Sequence, residues 1–332
     1  MEVREQTWRA GTKNLRPLLV KLGVAARGYS RRLQRALTDF GADETFAAAA
    51  AKVKEHYGLE VNSEQVRRVC LEHDDRIASR VQTKPLTTLA ARGPEWIVAE
   101  ADGTMLPIVD TTSAPPGTDR RKHRQTSWQE TRVVAARALG EATTHYDATL
   151  GDVAETGARW SRVVGAAGWA VNTRIHAVGD GAPWLAMQAR QHFGAHGSYL
   201  LDLYHVCDYL AAVWPAARDT VHHKRDQLKA GQLQPVLEAL RNKLEPPDTP
   251  EPEAPARASL RYLENRLDQL DYPSALKHGL PVGSGLIEST HRHLLQSRLK
   301  LSGAWWTRLN AQAMCQLRVC RANGLWDNYW QN

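Results

Sequence analysis

Three acidic residues, far apart in the chain, stand in contexts that suit metal-assisted chemistry: Asp102 in WIVAEADGT, Asp180 in RIHAVGDGAPW and Glu288 in PVGSGLIESTHR. Asp102 and Asp180 close apolar runs that predict buried strands. Glu288 opens a run that predicts a helix. Carboxylates at the tips of adjacent strands and on a neighbouring helix can converge on one point. Convergent carboxylates hold hard divalent cations, and a pair of such ions drives in-line phosphoryl transfer. Glu100, two residues before Asp102 and on the same strand face, competes for the role, although the Asp-Gly-Thr context favours Asp102. Asp-Gly by itself also simply makes a turn, and an acid in a helix first turn also simply meets the helix dipole.

The charge balance names the class of substrate. The 332 residues carry a formal net charge of +7 and a pI of about 9.3, which favours a polyanion such as nucleic acid. Residues 1–40 hold nine Lys/Arg, Arg31 and Arg32 among them, against three acids. Such clustering predicts a phosphate-contacting arm. Cys70, Cys207, Cys315 and Cys320 form no CxxC pair, which argues against a structural zinc site and a disulfide framework. No apolar run is long enough to span a membrane, and no h-region follows the N-terminus. The expectation is a cytosolic protein with reduced thiols.

The positioning elements follow from periodicity and breakers. Residues 14–92 read as helical. Thr45 caps a helix that Gly58 ends, and Asn62 or Ser63 caps a second one carrying Val66, Val69, Cys70 and the basic pair Arg67, Arg68. Two helices around a short glycine-containing turn give a helix-turn-helix outline, or simply two packed helices. Beyond Arg92-Gly93-Pro94, strands are predicted at 96–101, 105–109, 131–136, 145–150, 174–178 and 198–201, with helices at 152–167 and 183–193. That order predicts a mixed α/β sheet. The loop SAPPGTDRRKHRQTSWQE places Arg120, Arg121, Lys122 and Arg124 in solvent. Residues 204–280 read as a helical subdomain, interrupted by EPPDTPEPEAP, whose five prolines and four acids predict a solvated linker. From Gly285 to Arg321 the chain carries Arg292, Arg298, Lys300, Arg308, Arg318 and Arg321 against one acid, Glu288. Trp305 lies among these cations, as base stacking beside phosphate contacts would need. Ile287, Leu294, Leu295 and Leu299 form the buried stripe. The expected divisions are 1–92, 93–203, 204–282 and 283–332.

The motifs DGTMLP, GDGAPW, LDLYHV, the run from GSGLIES to RLK and the closing WDNYW together resemble transposases of bacterial insertion sequences. The nearest group is the Kra-type family of the DDE superfamily, akin to Mutator-like elements, and the resemblance covers nearly the whole chain. It implies an RNase H-like core with an α-helical insertion ahead of the helix bearing the third acid, and an N-terminal DNA-binding region. It maps Asp102, Asp180 and Glu288 onto the catalytic, metal-holding triad, with Asp102 bridging two Mg²⁺ ions for which Mn²⁺ substitutes. It maps Asp202 and His205 onto a D-x-x-H pair, with His205 orienting Asp202 or contacting a DNA end, or forming a structural pair. The implied activity is cleavage of the element ends and joining to target DNA. The implied partners are double-stranded DNA, both terminal inverted repeats and target, and further copies of the chain in a dimer or larger assembly, in the bacterial cytoplasm at the nucleoid. A cutting-only RNase H-like nuclease or resolvase, and a non-catalytic DNA-binding regulator, are the alternatives. The chain departs from longer members in lacking N-terminal cysteine pairs, which leaves open a shorter subgroup or a truncated, inactive protein.

Overall fold

The structure is a computed structural model that describes residues 8–10, 13–15, 17, 21, 28–80, 88–113, 115 and 117–331; the side chains of residues 10, 13–15, 79, 80, 120 and 121 fall outside the description. Most of the predicted basic arm before residue 28 therefore lies outside the described residues. The chain folds into two compact units. One comprises residues 1–82, 106–129 and 293–332, the other residues 83–105 and 130–292.

The first unit has a short antiparallel pair, β1 (Trp8–Ala10) and β2 (Lys13–Leu15), and a set of helices. Helices Arg31–Asp43, Phe46–Tyr57 and Ser63–Arg80 bury Leu37, Ala49, Val53, Val66, Val69 and Cys70 on their inner faces. Local chemistry sets their ends. Thr45 Oγ1 accepts from Ala48 N at 3.2 Å, and Gly58 ends the same helix at φ +64°, in the left-handed region. Asn62 and Gln65 satisfy each other reciprocally: Asn62 Oδ1 accepts from Gln65 N at 2.9 Å, and Gln65 Oε1 from Asn62 N at 2.8 Å. Asn62, rather than Ser63, is thus the cap. The aromatics of the C-terminal WDNYW are core: Trp326, Tyr329 and Trp330 are buried, and His73 Nδ1 lies 2.6 Å from Tyr329 Oη, while Asp327 and Asn328 are exposed.

The second unit holds a five-stranded mixed sheet from β3 (Trp96–Asp110), β4 (Gln125–Ala138), β5 (His145–Thr149), β6 (Arg174–Gly179) and β7 (Gly197–Leu201); β3 contributes its residues to 105 and β4 its residues from 130. The spatial order is β5-β4-β3-β6-β7, with β4 and β5 antiparallel and β6 parallel to both β3 and β7. On one face Ile97, Ala99, Ala101, Ile175 and Ala177 pack with Trp160, Leu185 and Phe193 of the helices Val153–Ala166 and Pro183–Phe193. Alternation sends Glu100 and Asp102 to the opposite face. There Val178 and Leu200 meet the helical insertion, whose helices are Leu203–Val213, Arg218–Lys229, Leu233–Arg241, Pro255–Glu264 and Tyr272–Lys277.

Three expectations are corrected. The strands predicted at 96–101 and 105–109 are one strand of 15 residues, because Gly103 is accommodated in extended backbone. The second strand begins at Gln125, inside the stretch read as a polar loop, so its first residues are exposed strand. The Pro/acid segment is not an inert linker. Glu245 accepts from Ala256 N at 2.7 Å and Arg257 N at 3.1 Å, capping the next helix, and Arg257 donates back to Thr249 O and Pro246 O. Among the described residues no helix is long and apolar enough to cross a membrane.

Candidate active site

β3 and β6 run parallel in register from Trp96 opposite Arg174 to Glu100 opposite Val178. Asp102 and Asp180 each lie two residues beyond that last pair, on neighbouring strand paths. Asp102 lies just past the pairing with β6, not at the end of its own strand. Its Oδ1 accepts from Gly103 N at 2.7 Å. Asp180 Oδ1 accepts from Ala182 N at 2.9 Å, a turn that leads into the Pro183 helix. The loop after Asp180 is gripped from the insertion. Tyr262 Oη donates to Asp180 O at 2.6 Å, and Arg266 donates twice to Gly181 O, at 2.9 and 2.7 Å. Gly181 sits at φ +83°, and a Cβ there would meet Leu201 and Arg266 at 2.5 and 2.7 Å, so only glycine fits.

The strand face also carries the helix with the third acid. Glu100 is 1% exposed, and its Oε2 accepts from Ile287 N at 2.8 Å in the first turn of the helix Gly285–Thr290. Burial pushes its carboxyl up to about 8, while the bond from Ile287 N–H pulls the other way. Asp202, buried at the end of β7, caps the helix Leu203–Val213 by accepting from Tyr204 N at 2.6 Å. Its other oxygen accepts from Ser284 N at 2.8 Å and from Ser284 Oγ. Glu100 and Asp202 therefore hold the entry of the Glu288 helix from two sides. Asp202 is engaged by backbone and Ser284. His205 meets it through its backbone N–H at 3.4 Å and turns an exposed side chain into the cleft.

That cleft, about 730 Å³, is lined by Asp102, Asp202, Tyr204, His205, Asp208 and Glu288 among others. Asp180 does not line it. Glu288 stands at the solvent side, its side chain 80% exposed and 4.0 Å from Arg292. One turn on, His291 is 4% exposed and brings Nε2 within 3.2 Å of Asp102 Oδ2, off the line of a hydrogen bond. Asp102 and Asp180 thus stand just past the paired stretch of two adjacent strands and Glu288 on the helix docked there, but the three side chains do not converge on one ion position. The carboxylate oxygens of the cleft are the donor chemistry of a hard dication, and the buried ring nitrogens of His291 make no hydrogen bond. Among the described residues no three His, Cys, Asp or Glu stand close enough together to share one ion.

The cations expected at DNA separate into two groups. Arg298 is corrected. It is 2% exposed, lies 4.7 Å from the ring centres of both Phe46 and Trp306, and donates from Nε to Gly41 O at 3.0 Å. It is a buried core cation and cannot reach a phosphate. Arg31 donates to the carbonyls of Trp330 and Tyr329 at 3.0 and 3.3 Å, satisfying the end of the last helix. Arg67 and Arg68 both pair with Glu64. Arg32, Lys122, Arg124, Arg292 and Lys300 are exposed, and Arg124 lies 5.3 Å from the ring of the half-exposed Trp305. The side chains of Arg120 and Arg121 lie outside the described residues. Sequence reasoning passed over His291, although Glu288-x-x-His291 is a spacing that puts both residues on one helix face. It also left Glu100 as a rival ligand, where the structure makes it an anchor.

No family model matches the chain. Over 157 residues it is 27% identical to the UPF0236 protein in the vanSb 3′ region of Streptococcus gallolyticus. The matched stretch is 46% of this chain and 34% of that distant homologue, so the chain spans about a third of the relative's length.

Proposed function

We propose that the protein is a DNA transposase of the Kra-type, DDE class, cutting the ends of an insertion sequence and joining them to target DNA. One observation carries the reading: Asp102 and Asp180 sit at matching positions just past the paired stretch of two adjacent parallel strands, and Glu100 docks the Glu288 helix onto the first of them. A mixed five-stranded sheet with such a helix supports an RNase H-like core. The three packed N-terminal helices, with Asn62 and Gln65 capping the third, support a helix-turn-helix-like DNA-binding role for that region.

Asp102, Asp180 and Glu288 would hold two Mg²⁺, or Mn²⁺ in their place, once their side chains close up, since among the described residues no three such groups stand within reach of one ion. When bound, such ions supply an activated water or DNA 3′-OH and stabilise the leaving 3′ oxygen. The chain's own part is to fix the carboxylates. Gly103 N–H orients Asp102, Ala182 N–H orients Asp180, and exposed Glu288 is free to turn on its anchored helix. Arg292, exposed one turn from Glu288, would meet phosphates at the site; Lys122 and Arg124 would contact DNA phosphates within their own unit, and a dimer or larger assembly on DNA would hold two ends together. The test is a strand-transfer assay with labelled element ends and Mg²⁺. Nicked and joined products should both form and should disappear in Asp102→Asn, Asp180→Asn and Glu288→Gln. Nicking without joining leaves a nuclease or resolvase. The solvent-facing Glu288 favours one second reading, a DNA-binding regulator without catalysis, for which these three substitutions change nothing.

A further inference from the structure

We propose that His291 is a positioning residue for Asp102, holding its carboxylate in the orientation that receives the metal. The inference rests on the metal reading of Asp102. Two separate observations carry it. First, His291 is 4% exposed, makes no hydrogen bond through either ring nitrogen, and brings Nε2 to 3.2 Å from Asp102 Oδ2. A buried imidazole left without partners is costly unless a neighbour completes it, and Asp102 is the acid it faces. Second, the helix changes form at this residue. The α-helical turns Gly285–Thr290 give way to a π-helical segment, His291–Gln296, a departure that concentrates at functional sites. Just before it, Thr290 Oγ1 donates back to Leu286 O at 2.7 Å, a bond that bends helices.

The geometry divides the work on Asp102. Gly103 N–H occupies one lone pair of Oδ1. With its proton on Nε2 and its ring turned into line, His291 would occupy one lone pair of Oδ2, now 3.2 Å away. Each oxygen keeps a second lone pair for a cation, so the carboxylate is fixed from both sides without losing its capacity as a ligand. Glu288 and His291, one turn apart, would then divide the work: the exposed acid would be a ligand, and the buried imidazole would hold Asp102 in place.

Binding of Mn²⁺ to the purified full chain, read as loss of the free-ion electron paramagnetic resonance signal, tests this apart from activity. Wild type should bind, and Asp102→Asn should lose binding. His291→Phe, which keeps the ring volume without a donor, should weaken affinity by about 10–100-fold. His291→Gln, whose amide reaches the Nε2 position, should restore most of it, and His291→Asn, whose amide stops short, should not. Circular dichroism melts identify any variant that fails to fold; the Gln/Asn pair then decides. Asp102→Asn losing the metal while His291→Phe and His291→Asn bind as wild type overturns the positioning role alone. His291→Gln failing as fully as His291→Phe overturns it in favour of direct nitrogen ligation. Wild type binding no better than Asp102→Asn overturns the metal reading and the inference with it.

Discussion

Glu100 Oε2 accepts the backbone N–H of Ile287 at 2.8 Å, tying the central strand to the first turn of the helix that bears Glu288. The bond spans 187 residues of chain, and both partners are buried. Glu100→Ala leaves the buried Ile287 N–H without its acceptor. It should lower unfolding free energy by about 1–3 kcal/mol in urea titrations. Glu100→Gln keeps an acceptor at the same place and should lose less. Equal losses from both would mean the carboxylate makes no special contribution.

Asp74 gives a pH signature in the other unit. It is 5% exposed with Oδ1 unpartnered, and burial first, then Asp75, pushes its carboxyl up to about 8. A group whose pKa rises on folding adds stability below its unfolded value and loses it as pH climbs to the folded one. Wild type should therefore lose stability between about pH 4 and 8, at up to about 1.4 kcal/mol per pH unit. Asp74→Asn should lack that component. Urea midpoints at pH 5 and pH 8.5 make the comparison, and parallel shifts in both proteins would exclude the buried acid as the source.

Arg298 and Arg124 should part company under salt. Arg298→Lys loses the planar stack on Phe46 and Trp306 and the bond to Gly41 O, and should cost about 2 kcal/mol or more of stability. It should leave the slope of log affinity for DNA against log salt unchanged. Arg124→Ala, at an exposed position, should lower that slope by about 1 with little change in melting temperature. Fluorescence anisotropy across a salt series reads both.

Trp305 is 46% exposed beside Arg124, which suits a platform for an unpaired base. Trp305→Ala should weaken binding to a single-stranded DNA end by about 1–3 kcal/mol, and binding to blunt duplex far less. Equal losses on the two probes would remove the stacking role.

Much of this was legible in the chain. The apolar runs before Asp102 and Asp180, the Thr45 and Gly58 helix ends and the alternation of sheet and helix are local signals, and they mark real elements. What stayed hidden depends on contacts across long separations. The continuity of the first strand past Gly103 follows from sheet packing, not from the residue's own preference. Arg298 looks like a surface cation until the Phe46 and Trp306 rings close over it. His291 looks like one polar residue in a polar run, because only the fold shows which side of the helix is covered. Arg31 likewise reads as part of a basic arm, although its donors end on the carbonyls of Tyr329 and Trp330, almost three hundred residues away.

The grip of Tyr262 and Arg266 on the carbonyls of Asp180 and Gly181 makes the helical insertion a load-sharing support of the Asp180 turn. A shortened chain that spliced β7 directly to the Glu288 helix would keep Asp102, Asp180 and Glu288 yet let the Asp180 turn go slack. Substitutions on the exposed rim of this insertion should therefore leave the Asp180 turn in place, while those on the inner side of Pro255–Glu264 and its following turn should loosen it.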